Sequence, residues 1–442
     1  MAVNKNNDQT PKIGTAIVLH PVLPDSLSTV TGNRMVDDVL EEAAGLARAI
    51  SLKIIDCRAV KVARPNPGTL FGKGAVDTIK ELIVELEPSV VIVDHALTPV
   101  QQRNLEQEWE AKVLDRTGLI LEIFGARAKT KEGQIQVDVA ALEYQQSRLV
   151  RSWTHLERQR GGTGGTGGPG ETQLEIDRRL ISDKIARLKR DLEQVRRTRE
   201  LQRKGREKIP FPVVALVGYT NAGKSTLFNR LTRSDVFAED LLFATLDPTM
   251  RQLKLPNGQQ VILSDTVGFI SNLPTNLIAA FRATLEQVQH ADVILHVRDI
   301  SRHDTAAQRQ DVISVLQSLE IEYDTDPRII EVLNKIDALP EEIQGDMRRE
   351  AKFDATKIAI SALTGEGIEA LLDAVVGIVA KSRILSTYRV RVQDGEALAW
   401  LYARTTVVAR EDHEDDITLD VEIDPADIGR FSERFGYEHR SA

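Results

Sequence analysis

One eight-residue segment limits the possible folds of this chain more than any other feature. It matches G-x-x-x-x-G-K-[ST] between an apolar run, Val213 to Val217, and a helical stretch from Thr226. The segment consists of Gly218, Tyr219, Thr220, Asn221, Ala222, Gly223, Lys224 and Ser225. A strand, a glycine-rich loop and a helix in this order form a phosphate-binding loop, in which backbone N–H groups surround phosphates. Lys224 is expected at the β/γ oxygens and the Ser225 hydroxyl on Mg²⁺; a plain glycine turn is the weaker alternative.

Three later motifs indicate that the base is guanine. They follow three predicted strands and consist of Asp265, Thr266, Val267 and Gly268, then Asn334, Lys335, Ile336 and Asp337, then Ser361, Ala362 and Leu363. Asp265 can reach the magnesium through water, and the Gly268 N–H can meet the γ-phosphate. A carboxylate at Asp337 accepts from the N1–H and the 2-amino group of guanine, whereas adenine offers neither donor. The third motif resembles the loop whose backbone N–H meets guanine O6.

A candidate switch segment lies between the phosphate loop and Asp265. It contains Phe243, Ala244, Thr245, Leu246 and Asp247. Thr245 is the candidate for the hydroxyl that joins the Mg²⁺ shell when the γ-phosphate is present. Thr249 is the rival, and an ordinary loop threonine is the third possibility. Lys224, Thr245 and Gly268 are the expected catalytic residues, and their contribution would be mostly electrostatic.

Two positions in the site predict how hydrolysis is controlled. Phe269 directly follows Gly268, where many GTPases place the glutamine that orients the attacking water. An apolar ring cannot orient water, so we expect slow intrinsic hydrolysis that a partner accelerates. In some GTPases of similar pattern, an asparagine at the position of Asn221 helps to hold a monovalent cation. K⁺ dependence is therefore an open alternative, which equal turnover in K⁺ and Na⁺ would remove.

The alternation of strands and helices predicts a multidomain α/β fold with four segments. A small N-terminal α/β domain is expected over residues 1–130 and a long basic helical hairpin with a glycine-rich tip over 131–210. A doubly wound P-loop GTPase domain is expected over 211–384 and a small α+β C-terminal appendix over 385–442. In the first segment, Gly72, Lys73 and Gly74 precede a predicted helix. A capping turn is the preferred interpretation there, and an anion site is the alternative.

The hairpin carries a charge opposite to that of the whole chain. Residues 145–208 hold 17 basic against 9 acidic side chains, a net charge of +8, whereas the complete chain has a net charge of −9. Basic side chains on exposed helices can neutralise phosphates, so the hairpin is a candidate RNA-binding arm, with a solvated helix face as the alternative. The densest basic run contains Arg196, Arg197, Arg199, Arg203, Lys204 and Arg206. Leu174, Leu180, Ile181, Ile185, Leu188, Leu192 and Val195 recur at helical spacing and predict the seam between the two helices.

These motifs and several flanking segments resemble the HflX family of GTPases. The flanking segments are residues 93–105, Asp115 to Thr117, residues 123–128, Gly168 to Glu175 and Asp265 to Ile270, and the likeness covers roughly residues 15 to 383. The resemblance implies GTP and GDP as ligands, Mg²⁺ as cofactor, and stimulation by the large ribosomal subunit with splitting of stalled ribosomes. It also implies ATP binding at the N-terminal domain in some members. The chain departs from the family in having no basic residue between Gly161 and Gly170.

Three functions remain as alternatives at this point. The first is a GTP-driven factor on the large ribosomal subunit, contacted through the hairpin. The second is a regulatory GTPase that acts on a protein or on a structured non-ribosomal RNA. The third is an NTP-dependent RNA remodeller with a second ATP site near Gly72. The polar N-terminus, the single cysteine Cys57 and the lack of an apolar run of about 20 residues predict a cytoplasmic protein with no membrane span, and we expect a monomer.

Overall fold

The computed structural model describes residues 14–24, 35–159, 173–206, 211–233, 242–243, 249–271, 287–354, 356–381, 384–423, 425–438 and 440–441. These residues form three β-sheets and a long helical hairpin, which confirms the predicted multidomain α/β class. None of the helices within these ranges is both long and apolar enough to cross a bilayer.

The N-terminal unit is a parallel four-stranded sheet with helices on both faces. Its elements are β1 (Thr15–Val22), α1 (Val36–Ala49), β2 (Lys53–Lys61), α2 (Lys73–Leu86), β3 (Val90–Val93), α3 (Pro99–Trp109), β4 (Val113–Asp115) and α4 (Arg116–Arg127), and the strand order is β2-β1-β3-β4. Successive residues of β1 face opposite sides, so Ala16 and Val18 pack in one core and Ile17 and Leu19 in another. The sequence did not predict β4 and α4, because the strand has three residues and the helix follows it without a loop.

Helices α5 (Lys131–Gln159) and α6 (Gln173–Arg206) form the hairpin. Ile181, Ile185, Leu188, Leu192 and Val195 pack with α5, as the spacing predicts. Leu180 does not belong to this seam, because its side chain is 59% exposed. Consecutive helical residues point about 100° apart, and here Ile181 takes the side facing α5 while Leu180 points to solvent. The side chain of Leu174 and the predicted glycine-rich tip, Gly161 to Gly170, lie outside the described residues.

A buried carboxylate joins the hairpin to the N-terminal unit. Asp115 is 1% exposed and caps α4 by accepting from the Gly118 N–H at 2.8 Å. It also accepts from the Leu97 N–H at 3.1 Å, from the Tyr144 hydroxyl at 2.5 Å and from Arg148 Nη2 at 2.7 Å. Burial and the Asp115 charge raise the pKa of Tyr144, so its hydroxyl remains a donor. Helix α5 is thereby held to the start of α4.

The third unit is a six-stranded sheet, parallel except for one edge strand. Its elements are β5 (Val213–Gly218), α7 (Lys224–Thr232), β6 (Thr249–Lys254), β7 (Gln260–Asp265), β8 (Val293–Asp299), α8 (Thr305–Ser318), β9 (Ile329–Asn334), a 3₁₀ turn (Ile336–Ala338), α9 (Glu341–Phe353), β10 (Lys357–Ala359) and α10 (Ile368–Lys381). The strand order is β10-β9-β8-β5-β7-β6, and β6 is antiparallel to β7. All three predicted motifs lie at the carboxyl ends of strands, where parallel sheets bind ligands.

The C-terminal unit is larger than the predicted strand, helix and strand. It contains β11 (Ile384–Arg391), α11 (Gly395–Arg404), β12 (Thr406–Asp412), β13 (Asp416–Ile423), α12 (Pro425–Phe435) and β14 (Arg440–Ser441), and the antiparallel strand order is β12-β13-β11-β14. Tyr388, Trp400 and Phe431 form an aromatic cluster between the sheet and the helices. Strand β12 is almost fully exposed, so no apolar alternation marks it in the sequence.

The N-terminal and third units share one continuous apolar core. Phe124 of α4 packs edge to face on Phe243, with ring centroids 4.7 Å apart. Val217 and Phe269 belong to the same cluster as Phe124. The segments around Phe243 and Phe269 of the third unit are therefore in direct contact with the N-terminal unit.

Candidate nucleotide site

The phosphate loop joins the end of β5 to the start of α7, and both of its glycines are required by close contacts. Gly218 has a φ of +150°, and a Cβ there would lie 2.2 Å from the Val297 carbonyl oxygen. Gly223 has a φ of +91°, and a Cβ there would lie 2.2 Å from Asn334 Nδ2. Both positions therefore need glycine, because L side chains rarely adopt these angles and because a Cβ would collide with the neighbouring atom. Asn221 lies exposed in the loop with a φ of +60°.

Lys224 is buried beneath this loop. Its ammonium donates to the carbonyl of Gly218 at 3.1 Å and to that of Tyr219 at 2.8 Å. Burial lowers the pKa of Lys224 to about 8, although attraction to Asp265 opposes that shift. The charge sits at the centre of the loop, where phosphate oxygens would replace the two carbonyls as acceptors.

Ser225 and Asp265 form an oxygen pair beside Lys224. The Ser225 hydroxyl donates to Asp265 Oδ2 at 2.8 Å, and Asp265 is fully buried at the end of β7. Thr266 turns its hydroxyl into the sheet and donates to the Leu216 carbonyl at 2.5 Å. A hydroxyl and a carboxylate are hard oxygen donors of the kind that Mg²⁺ prefers, so this pair fits that ion.

The segment after Asp265 lies across the phosphate loop. The Phe269 N–H donates to the Gly218 carbonyl at 3.1 Å, and the Thr220 N–H donates to the Phe269 carbonyl at 2.7 Å. A Cβ on Gly268 would lie 2.9 Å from Thr220 Cα and 3.0 Å from Lys224 Nζ. The Phe269 ring is 3% exposed, and the neighbouring Val267 is also buried. Gly268 therefore lies beside the ammonium of Lys224, and the Phe269 side chain offers no polar group to water.

Asn334 connects the phosphate loop to the predicted base-binding loop. Its side chain donates to the Ala222 carbonyl at 2.8 Å and accepts from the Ala362 N–H at 2.9 Å. Lys335 has a φ of +66° and pairs with Asp299 at 2.8 Å. Ile336 is buried, whereas the Asp337 carboxylate lies exposed on the 3₁₀ turn. Ser361 and Ala362 are buried, and Leu363 is 71% exposed.

The switch residues are only partly described. Ala244, Thr245, Leu246 and Asp247 lie outside the described residues. The Phe243 ring is buried against Phe124, so its side chain faces the N-terminal unit. Thr249, the rival of Thr245, is the first residue of β6 and pairs with Asp265 in the sheet. Thr226 lies in the first turn of α7, directly after Ser225.

Comparison with known proteins identifies the family. The chain matches the models for GTP-binding GTPase N-terminal (residues 37–125), GTP-binding GTPase Middle Region (127–206), 50S ribosome-binding GTPase (213–335) and HflX C-terminal domain (346–442). It is 52% identical over 403 residues to GTPase HflX of Magnetococcus marinus, covering 90% of this chain and 92% of that one. The chain belongs to the HflX family of GTPases.

A second relative supports this assignment, and a solved structure is also similar to the chain. GTPase HflX of Escherichia coli is 41% identical over 384 residues, covering 87% of this chain and 89% of that one. A crystal structure of a GTP-binding protein from Sulfolobus solfataricus with GDP is 23% identical with a TM-score of 0.44, covering 84% of this chain and 99% of that one. The resemblance seen in the sequence is confirmed, and the protein is a GTP-hydrolysing enzyme that binds guanine nucleotides.

A polar cluster that the sequence motifs did not reveal joins this HflX-family site to the N-terminal unit. Tyr219 donates to Glu42 Oε2 at 2.5 Å, and the Ser271 N–H donates to the Tyr219 hydroxyl at 2.9 Å. Arg116 Nη2 donates to Glu42 Oε1 at 2.6 Å and to the Ser271 carbonyl at 3.0 Å. Arg116 Nη1 donates to Asp94 Oδ1 at 2.5 Å. The only signal in the sequence is that Asp94 and Arg116 occur in two segments that resemble the family.

Proposed function

We propose that this GTPase binds the large ribosomal subunit through its basic hairpin and that its nucleotide state sets how long it stays there. The observation that carries the proposal is the exposed basic face of α6. Its described part presents Arg178, Arg179, Lys184, Arg187, Lys189, Arg190 and Arg197 to solvent. Lys189 pairs with the half-exposed carboxylate of Glu143, and Arg197 pairs with the exposed carboxylate of Glu193. Exposed pairs contribute little, so phosphates can replace these carboxylates at low cost.

The family supports the same partner. The model that matches residues 213–335 is described as a 50S ribosome-binding GTPase. By this proposal the protein works in the cytoplasm as a monomer, and on stalled ribosomes it separates or rescues the subunits. The hairpin has few aromatic side chains, so it would contact backbone and shape rather than base sequence.

Within the nucleotide site, each role follows from position. Lys224 and the backbone N–H groups of residues 221–225 would hold the β- and γ-phosphates, with the Gly268 N–H at the γ-phosphate. Ser225 and Thr245 would hold Mg²⁺, with Asp265 reaching it through water. Thr245 is the better switch residue, because Thr249 is committed to the β6–β7 ladder. Mg²⁺, when bound, offsets the charge on the phosphate oxygens. Asn221 is the residue that would hold K⁺ near the β/γ bridge if turnover depends on that ion.

Sedimentation with ribosomes tests the proposed partner. The protein and a variant with Arg178, Arg179, Arg187 and Arg190 changed to Glu are mixed with large subunits and a non-hydrolysable GTP analogue. We expect the wild type to co-sediment with large subunits and the variant to remain at the top of the gradient. As the matched control, Arg348, Arg349, Arg389 and Arg410 are changed to Glu, because these arginines are also exposed but lie outside the hairpin.

Two further measurements separate this proposal from the alternative functions. Ribosomes should raise the GTPase rate of the wild type, and a gradient of intact ribosomes with GTP should show separated subunits. A wild-type protein that stays at the top of the gradient, with a GTPase rate unchanged by ribosomes, would remove this proposal and favour a regulatory GTPase acting on a protein or another RNA.

A further inference from the structure

The most informative unassigned contact lies at the end of α7 opposite the phosphate loop. Arg230 is in the last turn of this helix, and its guanidinium reaches the loop after β10. Nε donates to the Ala362 carbonyl at 2.6 Å, and Nη2 donates to the Leu363 carbonyl. A charged donor therefore holds two consecutive carbonyls of the loop that is proposed to meet the base.

The loop is shaped to receive this guanidinium. Gly365 has a φ of +95°, and a Cβ there would lie 2.5 Å from Arg230 Nη1. The Thr364 N–H donates to the Ser361 hydroxyl at 3.0 Å, and the Gly365 N–H donates to the Ser361 carbonyl at 2.8 Å. A tight turn thus leaves room for the arginine where any other residue at position 365 would collide with it.

Holding the carbonyls also fixes the N–H groups. The Ala362 carbonyl and the Leu363 N–H belong to one planar trans peptide, so they point in opposite directions. With the Ala362 carbonyl bound to Arg230, the Leu363 N–H is directed away from α7. Asn334 holds the preceding N–H, that of Ala362. Together the two side chains fix the orientation of both N–H groups.

The same helix carries the phosphate-binding residues at its other end. Lys224 and Ser225 lie in the first turn of α7 and Arg230 lies six residues after Lys224, which is about 9 Å along a helix. We propose that Arg230 is a positioning residue for guanine recognition, which fixes the base-binding loop at a set distance from the phosphate-binding end of α7. This inference rests on the proposed role of residues 361–363 in meeting guanine O6.

A pair of nucleotides that differ at C6 tests the inference. GDP has the 6-oxo group, and 6-thioguanosine diphosphate carries sulfur, a weaker hydrogen-bond acceptor, in its place while keeping the N1–H and the 2-amino group. The preference is the ratio of the two dissociation constants, measured by calorimetry on the full-length protein with Mg²⁺. We expect Arg230→Ala to reduce the preference for GDP roughly fivefold, since an exposed hydrogen-bonded contact contributes about 1 kcal/mol. Arg230→Lys, which can reach one carbonyl, should give an intermediate preference.

A ratio separates positioning from general damage, because a destabilised fold weakens both nucleotides alike. Arg348→Ala is the matched control, since Arg348 pairs with the Glu366 side chain of the same loop at 2.7 Å and does not contact the carbonyls of 362 or 363. An unchanged preference in Arg230→Ala, or an equal reduction in Arg348→Ala, overturns the inference alone. A wild type without any preference for GDP over the analogue removes the proposed role of the loop and the inference with it.

Discussion

The hydroxyl of Tyr219, in the phosphate loop, donates a hydrogen bond of 2.5 Å to the carboxylate of Glu42, in α1 of the N-terminal unit. Ser271 and Arg116 complete a ring of contacts around this bond. The phosphate loop and the segment after Phe269 are thus both held by the Glu42 carboxylate. A motion at either place is opposed by the N-terminal unit.

Removing the Arg116 guanidinium from this ring of contacts should destabilise the protein strongly. Arg116 is 6% exposed, and Arg116→Ala would leave the buried carboxylates of Glu42 and Asp94 without their main counter-charge. We expect a loss of about 3–5 kcal/mol in the free energy of unfolding, measured in urea. Arg389→Ala is the control, because its side chain is 69% exposed in the ion pair with Asp416 at 3.0 Å and this pair should contribute less than about 1 kcal/mol. Equal losses in the two variants would contradict the importance of the ring.

Nucleotide affinity should fall as the pH rises above about 8. Burial lowers the pKa of Lys224 to about 8, so half of these side chains have lost their proton at that pH in the nucleotide-free protein. Phosphates favour the charged form, so binding at pH 9 must take up a proton, and affinity should fall by up to about tenfold per pH unit. Calorimetry of GDP binding at pH 9 in two buffers of different ionisation enthalpy measures this uptake. Lys224→Arg, which stays charged, should bind without it; the same uptake in both proteins would assign the proton to another group.

Asp337→Asn should change the preferred base. The exposed carboxylate can accept from the N1–H and the 2-amino group of guanine, whereas an amide offers a donor that suits the 2-oxo group of xanthine. Competition between GDP and xanthosine diphosphate should show weaker GDP binding and tighter xanthosine diphosphate binding in the variant. Asp346→Asn, an exposed carboxylate on α9 paired with Arg349, is the control and should leave the preference for GDP unchanged. A preference for GDP retained in Asp337→Asn would argue against the proposed role.

Turnover should be faster in K⁺ than in Na⁺ if Asn221 helps to hold a cation. Its side chain lies exposed in the phosphate loop, where an amide oxygen can reach an ion near the β/γ bridge. Asn221→Ala should lower the rate in K⁺ to the rate in Na⁺. Asn257→Ala, an exposed turn residue between β6 and β7, should keep the difference. Equal wild-type rates in the two salts would exclude a role for K⁺.

Lys224→Ala and Ser225→Ala should each abolish GTP turnover, because one removes the charge at the phosphates and the other a Mg²⁺ ligand. ATP turnover in the same variants tests for a second site near Gly72. Gly72 is the N-cap residue of α2. Among the described residues, no neighbouring atom lies within 4 Å of the position that a Cβ on Gly72 would take. Turnover of ATP that survives Lys224→Ala would revive the RNA remodeller as an alternative.

The sequence predicted the nucleotide-binding unit well because its signals are local. The phosphate loop lies between β5 and α7 as its pattern requires, and Asn334 is the last residue of a fully buried strand. In both cases a continuous apolar run marks the strand, and a short polar motif begins at or just beyond its end. Leu180 shows the limit of such patterns, because helical spacing alone does not decide which of two adjacent apolar residues faces the partner helix.

The contacts that fix this unit in the molecule could not be predicted in the same way. Tyr219 and Glu42 are 177 residues apart, and Arg230 and Ala362 are 132 apart. Glu42 and Arg230 lie in helices at positions that no motif marks. Their partners are determined only by the tertiary packing. An arginine at the start of an apolar helix, as at Arg116 in α4, is the kind of residue that deserves a search for a buried partner.

Asp115 and Arg116 are neighbours in the chain, yet one is bonded to the hairpin and the other to the nucleotide-binding unit. We call the peptide between them the pivot, because α5 of the hairpin is bonded on one side of it and the nucleotide-binding unit on the other. Fifteen residues of α5 extend beyond Tyr144, an arm of roughly 22 Å, so a tilt of about 5° at Tyr144 displaces its end by roughly 2 Å. Conversely, a displacement of the far end of α5 becomes a rotation of only a few degrees at the pivot. The pivot includes Arg116, whose side chain donates to the Ser271 carbonyl.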